Sequence, residues 1–356
     1  MTQHASPSRY QLVREELMAS PRVWLVTGAA GFIGSNLVEE LLALGQSVVG
    51  LDNFSTGHEA NLIDAVGTGG AAPNFRFMEG DIRDLAVCRA ACSGVDYVLH
   101  HAAVASVPLS ISDPLTSCRV NIEGFLDVLV AARDSGVRRV VYASSSAVYG
   151  DTKTLPQVEH DAGRALSPYA ATKATNEVYA SVFERTYGLG TVGLRYYNVF
   201  GRRQDPSGAY AAVIPRWVSN LLRDEPCEIY GDGEASRDFC YVANAVQANL
   251  LAATAQGPNV TGEAFNVACG QETSLNELFE MIRLGLTMYQ PSVVMSQPRH
   301  LEPRQGDIRR SVADISRARR LLGYEPTHRT AAGLHQALAW YAARSESVDA
   351  DAFLVR

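Results

Sequence analysis

The stretch from Arg22 to Asp52 constrains this chain of 356 residues more than any other. Arg22-Val-Trp-Leu-Val-Thr27 is a continuous apolar run of the kind that forms a strand buried on both faces. It leads directly into Gly28-Ala-Ala-Gly31-Phe-Ile-Gly34. A helix is predicted over Ser35–Leu44, closed by Gly45, a residue suited to the end of a helix. Ser47-Val-Val-Gly-Leu-Asp52 then reads as a second buried strand ending in an acid. Strand, glycine turn, helix, strand and acid in this order make a βαβ unit built to hold a dinucleotide. Gly28 permits the tight turn, Gly31 the close approach of a pyrophosphate, and Gly34 close packing of helix on strand. Phe32 and Ile33 lie in the same loop, where backbone N–H groups and the helix dipole favour negative charge. Asp52 can accept hydrogen bonds from the adenosine ribose. No Lys or Arg follows in Asn53-Phe-Ser-Thr-Gly57 to receive a ribose phosphate, so NAD is favoured over NADP.

The alternation continues. Strands are expected at 74–78, 96–100, 139–143 and 191–195, with helices between them, notably Pro114–Ser135 and Pro168–Tyr187. This rhythm implies an α/β fold with a doubly wound parallel sheet of Rossmann type. After Asn198 the chain turns richer in Gly, Pro and short elements, which suggests a smaller C-terminal α/β lobe over the C-terminal edge of the sheet. The expected organisation is a helical arm over 1–20 and an NAD-binding domain over 21–200 with a returning segment about 238–268. A substrate lobe is expected from 201–237 and 269–345. A loosely held acidic tail, 346–356, would follow a last helix Thr330–Ala343. A net charge of −7 argues against a nucleic-acid partner. No apolar run reaches the length of a membrane span, and the N-terminus shows no basic-then-apolar leader. Six scattered cysteines without a CxxC pair, and eight His without HxxxH, fit a reducing cytoplasm and no metal site.

Ser167-Pro168-Tyr169-Ala170-Ala171-Thr172-Lys173 carries the chemistry. Ser167 is suited to an N-cap and Pro168 to the first helical turn. Tyr169 and Lys173, four residues apart, fall on one helix face. An ammonium beside a phenol lowers its pKa, so Tyr169 is expected to act as a base or acid near neutral pH. An isolated YxxxK is more often plain helix surface; here the glycine loop gives it a nicotinamide to work beside.

These motifs resemble the extended short-chain dehydrogenase/reductases and, among them, the nucleotide-sugar 4-epimerases. The likeness covers about residues 21 to 345 and includes Gly80-Asp81-Ile82-Arg83, His100-His101-Ala-Ala103, Val120-Asn121-Ile122, Ser144-Ser-Ser146, Tyr149-Gly150, Leu194-Arg-Tyr-Tyr-Asn198, Gly231-Asp-Gly233, Arg237-Asp-Phe239 and Arg304 with Gly306-Asp307. The resemblance implies that Asp81 and Ile82 hold the adenine and that His101, Ala102 and Ala103 lie along the cofactor with Asn121 and Tyr196. Lys173 would bind the nicotinamide ribose and tune Tyr169. Ser145 would hydrogen-bond the reacting hydroxyl, with Ser146 an open alternative. Asn198, Arg237, Arg304 and Asp307 correspond to positions that hold the nucleotide diphosphate; Ala105, Ala212, Val213, Tyr230 and Ser311 complete the expected substrate contacts.

The dehydratase relatives place an acid pair after the catalytic Ser or Thr, where this chain has Ser146-Ala147. Loss of water is therefore not expected. Ser311 stands where epimerases confined to glucose and galactose resemble one another in a bulky aromatic, which leaves room for an acetamido group. The wider likeness is to the UDP-N-acetylglucosamine 4-epimerase branch, a reaction through a transient 4-keto sugar that feeds polysaccharide biosynthesis. UDP-glucose/UDP-galactose or UDP-N-acetylhexosaminuronate 4-epimerisation, or a net NAD-dependent oxidoreduction of a nucleotide sugar, stays open beside it. His101, Ala105 and Leu109 depart from the pattern, where Gln, Gly and Arg are usual. A homodimer joined by the helices 114–135 and 168–187 is also implied by the resemblance.

Overall fold

A computed structural model describes residues 6–67, 72–206, 211–303 and 308–353, with side chains as far as residue 344. It divides into two compact units: Met1–Tyr196 with Ala245–Val267 and Asp314–Glu325, and Tyr197–Asn244 with Ala268–Ala313 and Pro326–Arg356.

The first unit is built on a sheet of seven strands: β1 (Val23–Thr27), β2 (Ser47–Asp52), β3 (Phe75–Glu79), β4 (Tyr97–His100), β5 (Arg139–Ser145), β6 (Gly190–Tyr196) and β7 (Glu263–Val267). Their order is β7-β6-β5-β4-β1-β2-β3, and every pairing is parallel. The apolar runs follow from this: with helices on both faces, both sides of a strand are buried, and Trp24, Leu25, Val26, Val98, Leu99, Val140 and Val141 are inaccessible or nearly so. The strand order reverses between β1 and β4, the switch point outside which such sheets bind ligands.

Helices of this unit include α1 (Arg9–Ala19), α2 (Phe32–Ala43), α3 (Glu59–Val66), α4 (Leu85–Cys92), α5 (Val107–Ser112), α6 (Pro114–Cys118), α7 (Gly124–Asp134) and α8 (Pro168–Tyr187), with Ser316–Leu322 and most of Val242–Thr254 later in the chain. On one face, Phe125, Val128 and Leu129 of α7 join Cys88, Ala91 and Cys92 of α4 in a core with Leu25, Val98 and Val140. Burial pushes the Cys88 and Cys92 thiols up to about 12, so both behave as small apolar groups. The N-terminal arm docks on this unit: Val13 and Leu17 are buried, Gln46 donates to the Leu17 carbonyl at 2.9 Å, and Arg14 pairs with Glu40.

Several expectations need correction. The helix after the glycine loop starts at Phe32, three residues before Ser35, so Phe32 and Ile33 form its first turn. The helix expected over Pro114–Ser135 is interrupted by a π-turn, Arg119–Glu123, between α6 and α7. Asn121 sits at its centre: its side chain accepts from the Val104 N–H at 2.8 Å and donates to the Val104 carbonyl at 3.0 Å, and the Asn176 side chain donates to the Asn121 carbonyl at 2.7 Å. An extra residue in the turn satisfies these partners. Finally, Asp314–Glu325 clusters with the first unit instead of the substrate lobe. The helix Ser316–Leu322 buries Ala318 and Leu322, and Arg317 pairs with Glu263 of β7 at 2.7 Å.

Among the described residues, the second unit holds three small sheets. Val199–Phe200 pairs with Cys240–Tyr241 and Glu228–Tyr230 with Arg299–Leu301, while Ser236–Arg237 lies between Thr273–Ser274 and Arg310–Ser311. Its helices Val213–Leu222, Leu275–Leu286 and Thr330–Phe353 pack together, with Trp217 edge-on to Phe279 at 5.9 Å. The last helix runs beyond the expected end at Ala343, because no Gly or Pro stops it. No helix among the described residues is long and apolar enough to cross a membrane.

Candidate active site

The glycine loop is shaped by its neighbours. Gly28 has φ +70°, and a Cβ there would lie 2.7 Å from the Ala102 nitrogen and 2.8 Å from the His101 carbonyl carbon. A Cβ on Gly34 would strike the Gly28 carbonyl. Gly31 is different: a Cβ there would meet only the Gly28 oxygen, at 3.1 Å, so the protein itself leaves that side open. No side chain caps the N-terminus of α2 at Gly31. An open approach to an uncapped helix start is what a pyrophosphate requires.

Asp52, at the end of β2 and 8 % exposed, accepts from the Ala30 N–H at 2.9 Å and the Phe54 N–H at 2.8 Å. It thus braces the glycine loop, and each oxygen retains a lone pair for a ribose hydroxyl. Gly57 is required by the same contact, since a Cβ there would sit 2.8 Å from that of Ala30. Asn53 donates to Asp81 at 2.9 Å, and Arg83 grips Asp81 at 2.6 Å. The Arg83 hydrogen bond holds the Asp81 carboxyl down to about 2. Ile82 is buried beneath Gly124, where a Cβ would meet its side chain at 2.8 Å. These residues fit an adenosine diphosphate: acid for the ribose, donors for the phosphates, and a close-packed floor.

At the ends of β4 and β5 stand the residues expected to handle a proton. The Ser167 hydroxyl accepts from the Ala170 N–H at 3.1 Å and caps α8, with Pro168 in its first turn. The Ser110 hydroxyl accepts from the Tyr169 N–H at 3.0 Å. Burial raises the Tyr169 phenol above its usual value, and a hydrogen bond with the Ser145 side chain opposes that rise. Lys173 was expected to depress this phenol, but its ammonium donates to the Ala143 carbonyl at 2.8 Å and stands 5.9 Å from the ring centroid. The side chain is only 3 % exposed, and burial brings Lys173 down to about 8. The shared face read from the spacing is real; the flexible lysine stem takes the nearer strand carbonyl.

Ser145 accepts from the Ala147 N–H at 3.1 Å and is the serine that meets Tyr169, while Ser146 opens the short turn Ser146–Tyr149. The Thr27 hydroxyl accepts from the Ala102 N–H at 3.2 Å, and Ala103 follows at the same strand end. His101 bonds the Tyr196 hydroxyl at 2.9 Å, and Asn249 donates to that hydroxyl at 2.7 Å. Burial, with the Lys173 charge, takes His101 down to about 3, so it is a neutral hydrogen-bonding residue. Asn121 turns to the backbone of Val104 and to Thr172 of α8, at 3.1 Å, and so braces the helix that carries Tyr169. Ala105 is exposed.

In the second unit Asn198 donates to the Asp238 carbonyl at 3.2 Å, and Arg237 is the register partner of Ser311, which is 8 % exposed. Asp238, fully buried, accepts from the N–H groups of Cys269 and Gly270 at 2.9 Å and ties these strands together. Ala212 precedes Val213 at the start of a helix, and the Tyr230 hydroxyl reaches Glu228 at 3.5 Å. Arg304 and Asp307 lie outside the described residues. Sequence reasoning missed Asp238, Glu177 and Arg195 as structural centres. Glu177 carried a signal, since it continues the four-residue spacing of Tyr169 and Lys173.

The family model for the NAD dependent epimerase/dehydratase family matches residues 24–268. A UDP-glucose 4-epimerase of Mycolicibacterium smegmatis is 38% identical over 324 residues, covering 90% of this chain and 99% of that protein. A putative UDP-glucose 4-epimerase of Methanocaldococcus jannaschii is 35% identical over 318 residues, covering 89% and 97%. Among solved structures, a UDP-N-acetylglucosamine 4-epimerase from Methanobrevibacter ruminantium, in complex with UDP-N-acetylmuramic acid, superposes with a TM-score of 0.83 at 37% identity, covering 91% of this chain and 99% of that one. With the glycine loop, Asp52 and the Tyr169–Lys173 helix in place, the chain belongs to the NAD-dependent epimerase/dehydratase family, with NAD as its cofactor.

Proposed function

We propose that the protein is an NAD-dependent nucleotide-sugar 4-epimerase acting on UDP-N-acetylhexosamines, converting UDP-GlcNAc to UDP-GalNAc. The observation that carries the reaction is the grouping of Ser145, Tyr169 and Lys173 at the end of β5, with Ala147 where an eliminating enzyme needs a carboxylate. Bound NAD+ supplies a reversible acceptor for the hydrogen on carbon 4 and a positive charge that favours the phenolate. Tyr169 then takes the proton of the 4-hydroxyl and later returns it, and Ser145 shares the hydrogen bond in both directions. Lys173, anchored on Ala143, keeps a positive charge beneath the reacting end. Without a second acid, the keto sugar has no route to lose water, so it turns and is reduced on its other face.

The preference for an acetylated sugar rests on Ser311, a small side chain beside Arg237. The two UDP-glucose 4-epimerase relatives favour a second reading, in which the plain hexose is the substrate. NMR of the purified protein with UDP-GlcNAc, UDP-glucose or the corresponding uronic acid, and no added cofactor, tests both. UDP-GalNAc should appear without net NADH. UDP-galactose from UDP-glucose, with no UDP-GalNAc from UDP-GlcNAc, would establish the second reading; stoichiometric NADH would make the protein an oxidoreductase.

A further inference from the structure

Three consecutive residues of β5 each meet a residue of α8 drawn from one face. The Ala143 carbonyl accepts from Lys173 at 2.8 Å, the Ser144 hydroxyl donates to Glu177 at 2.6 Å, and the Ser145 side chain faces the Tyr169 phenol. Tyr169, Lys173 and Glu177 follow at intervals of four, so a single stripe of α8 is pinned to a single strand end.

Glu177 is held from the neighbouring strand as well. Arg195 is the register partner of Ser144 on β6, and its guanidinium grips both carboxylate oxygens, at 2.9 and 2.7 Å. The third nitrogen of Arg195 donates to the Glu159 carbonyl at 2.9 Å, and the group stands 4.9 Å from the centroid of the Tyr149 ring. The two side chains are 6% and 17% exposed. Burial opposes the Arg195 charge, but the Glu177 hydrogen bond and charge more than offset it and hold Arg195 above its ordinary value. With both oxygens occupied, Glu177 is not placed to move protons. One carboxylate joins α8, β5 and β6 at the level of the catalytic serine.

We propose that Glu177, fixed by Arg195 and reaching Ser144, is a positioning residue that sets the register of α8 on β5 and so brings Tyr169 to Ser145. This rests on the reading of Tyr169 as the proton carrier. A fork gripping a carboxylate is directional, so it resists both sliding and rotation of the helix. The Ser145 bond to Tyr169 depends on that register.

Ser144→Ala is the telling variant, because it removes the tie to β5 and leaves the buried ion pair whole. The Tyr169 phenol is titrated by ultraviolet difference absorbance against Tyr169→Phe, in the NAD-loaded protein. In Ser144→Ala it should ionise about half a pH unit or more above the parent protein. In parallel, kcat should fall about tenfold to a hundredfold with KM and NAD content unchanged, and Ser144→Thr should restore both. Glu177→Gln, which keeps one acceptor for Ser144, should fall between. A phenol that titrates in Ser144→Ala where it does in the parent protein overturns the proposal, whatever the melting temperature does. The titration needs no turnover, so it still reports on register if no UDP-sugar is epimerised.

Discussion

Tyr169 is the second residue of α8, half-buried, with the Ser145 side chain acting to lower its phenol. Tyr169→Phe removes one oxygen and leaves Ser145 still bonded to the Ala147 N–H. It should lower kcat by about 10²–10⁴-fold while circular dichroism and NAD content stay as they are. Turnover close to that of the parent protein would show that another group moves the proton. Asp238 makes a different prediction. Burial pushes its carboxyl up to about 6 from 3.8, although backbone N–H groups of Cys269, Gly270 and Ala313 oppose the shift. Between those values the folded chain holds a proton that the unfolded chain has lost. The contribution of Asp238 to stability therefore falls as pH rises through about 4 to 6, by about 3 kcal/mol at most. Asp238→Asn cannot ionise and turns an N–H group toward donors, so it should be less stable throughout and lose that slope. Urea midpoints at intervals from pH 4 to 7 give the difference in slope between the two proteins.

At the scale of elements, the glycine loop and α2 act as one piece. Gly34 packs α2 so closely on β1 that a Cβ would overlap the Gly28 carbonyl, which is backbone and cannot swing aside. Gly34→Ala should lift the start of the helix, cost about 1–3 kcal/mol and release the nucleotide. Thermal melting and chromatography of nucleotide in the purified protein read the two effects separately. These elements were legible from sequence because strand, turn and helix each follow from local residues: an apolar run, three glycines, an apolar stripe. The π-turn at Arg119–Glu123 was not, because it answers to Val104 and Asn176, which are distant along the chain. Glu177 and Arg195 escaped for the same reason. Their meaning lies in β5 and β6 being neighbours, and no spacing along one helix states which strand it will face. The direction of Lys173 also escaped, since four residues of spacing fix a face but not where a flexible side chain ends.

At the scale of the whole molecule, α8 presents two faces. Tyr169, Lys173, Asn176, Glu177 and Ala180 face inward, whereas Val178, at 63% exposed, and Val182, at 38%, lie on the opposite stripe. Leu115 of α6, packed beside α8, is 67% exposed, and Ile111 of α5 is 64% exposed. An apolar stripe of this kind on a helix already engaged by its other face is poorly suited to water. We propose that a second copy of the chain covers it, pairing these helices about a two-fold axis. Each such side chain contributes about 1.5–3 kcal/mol when buried, and two-fold symmetry doubles every substitution. Leu115→Glu with Val178→Glu should therefore weaken association by more than about a hundredfold. Light scattering at micromolar concentration should give twice 38.5 kDa for the parent protein and 38.5 kDa for the double variant. The inward stripe is untouched, so the variant should keep its NAD. A parent protein of 38.5 kDa across the accessible concentration range would show that no second copy covers the stripe.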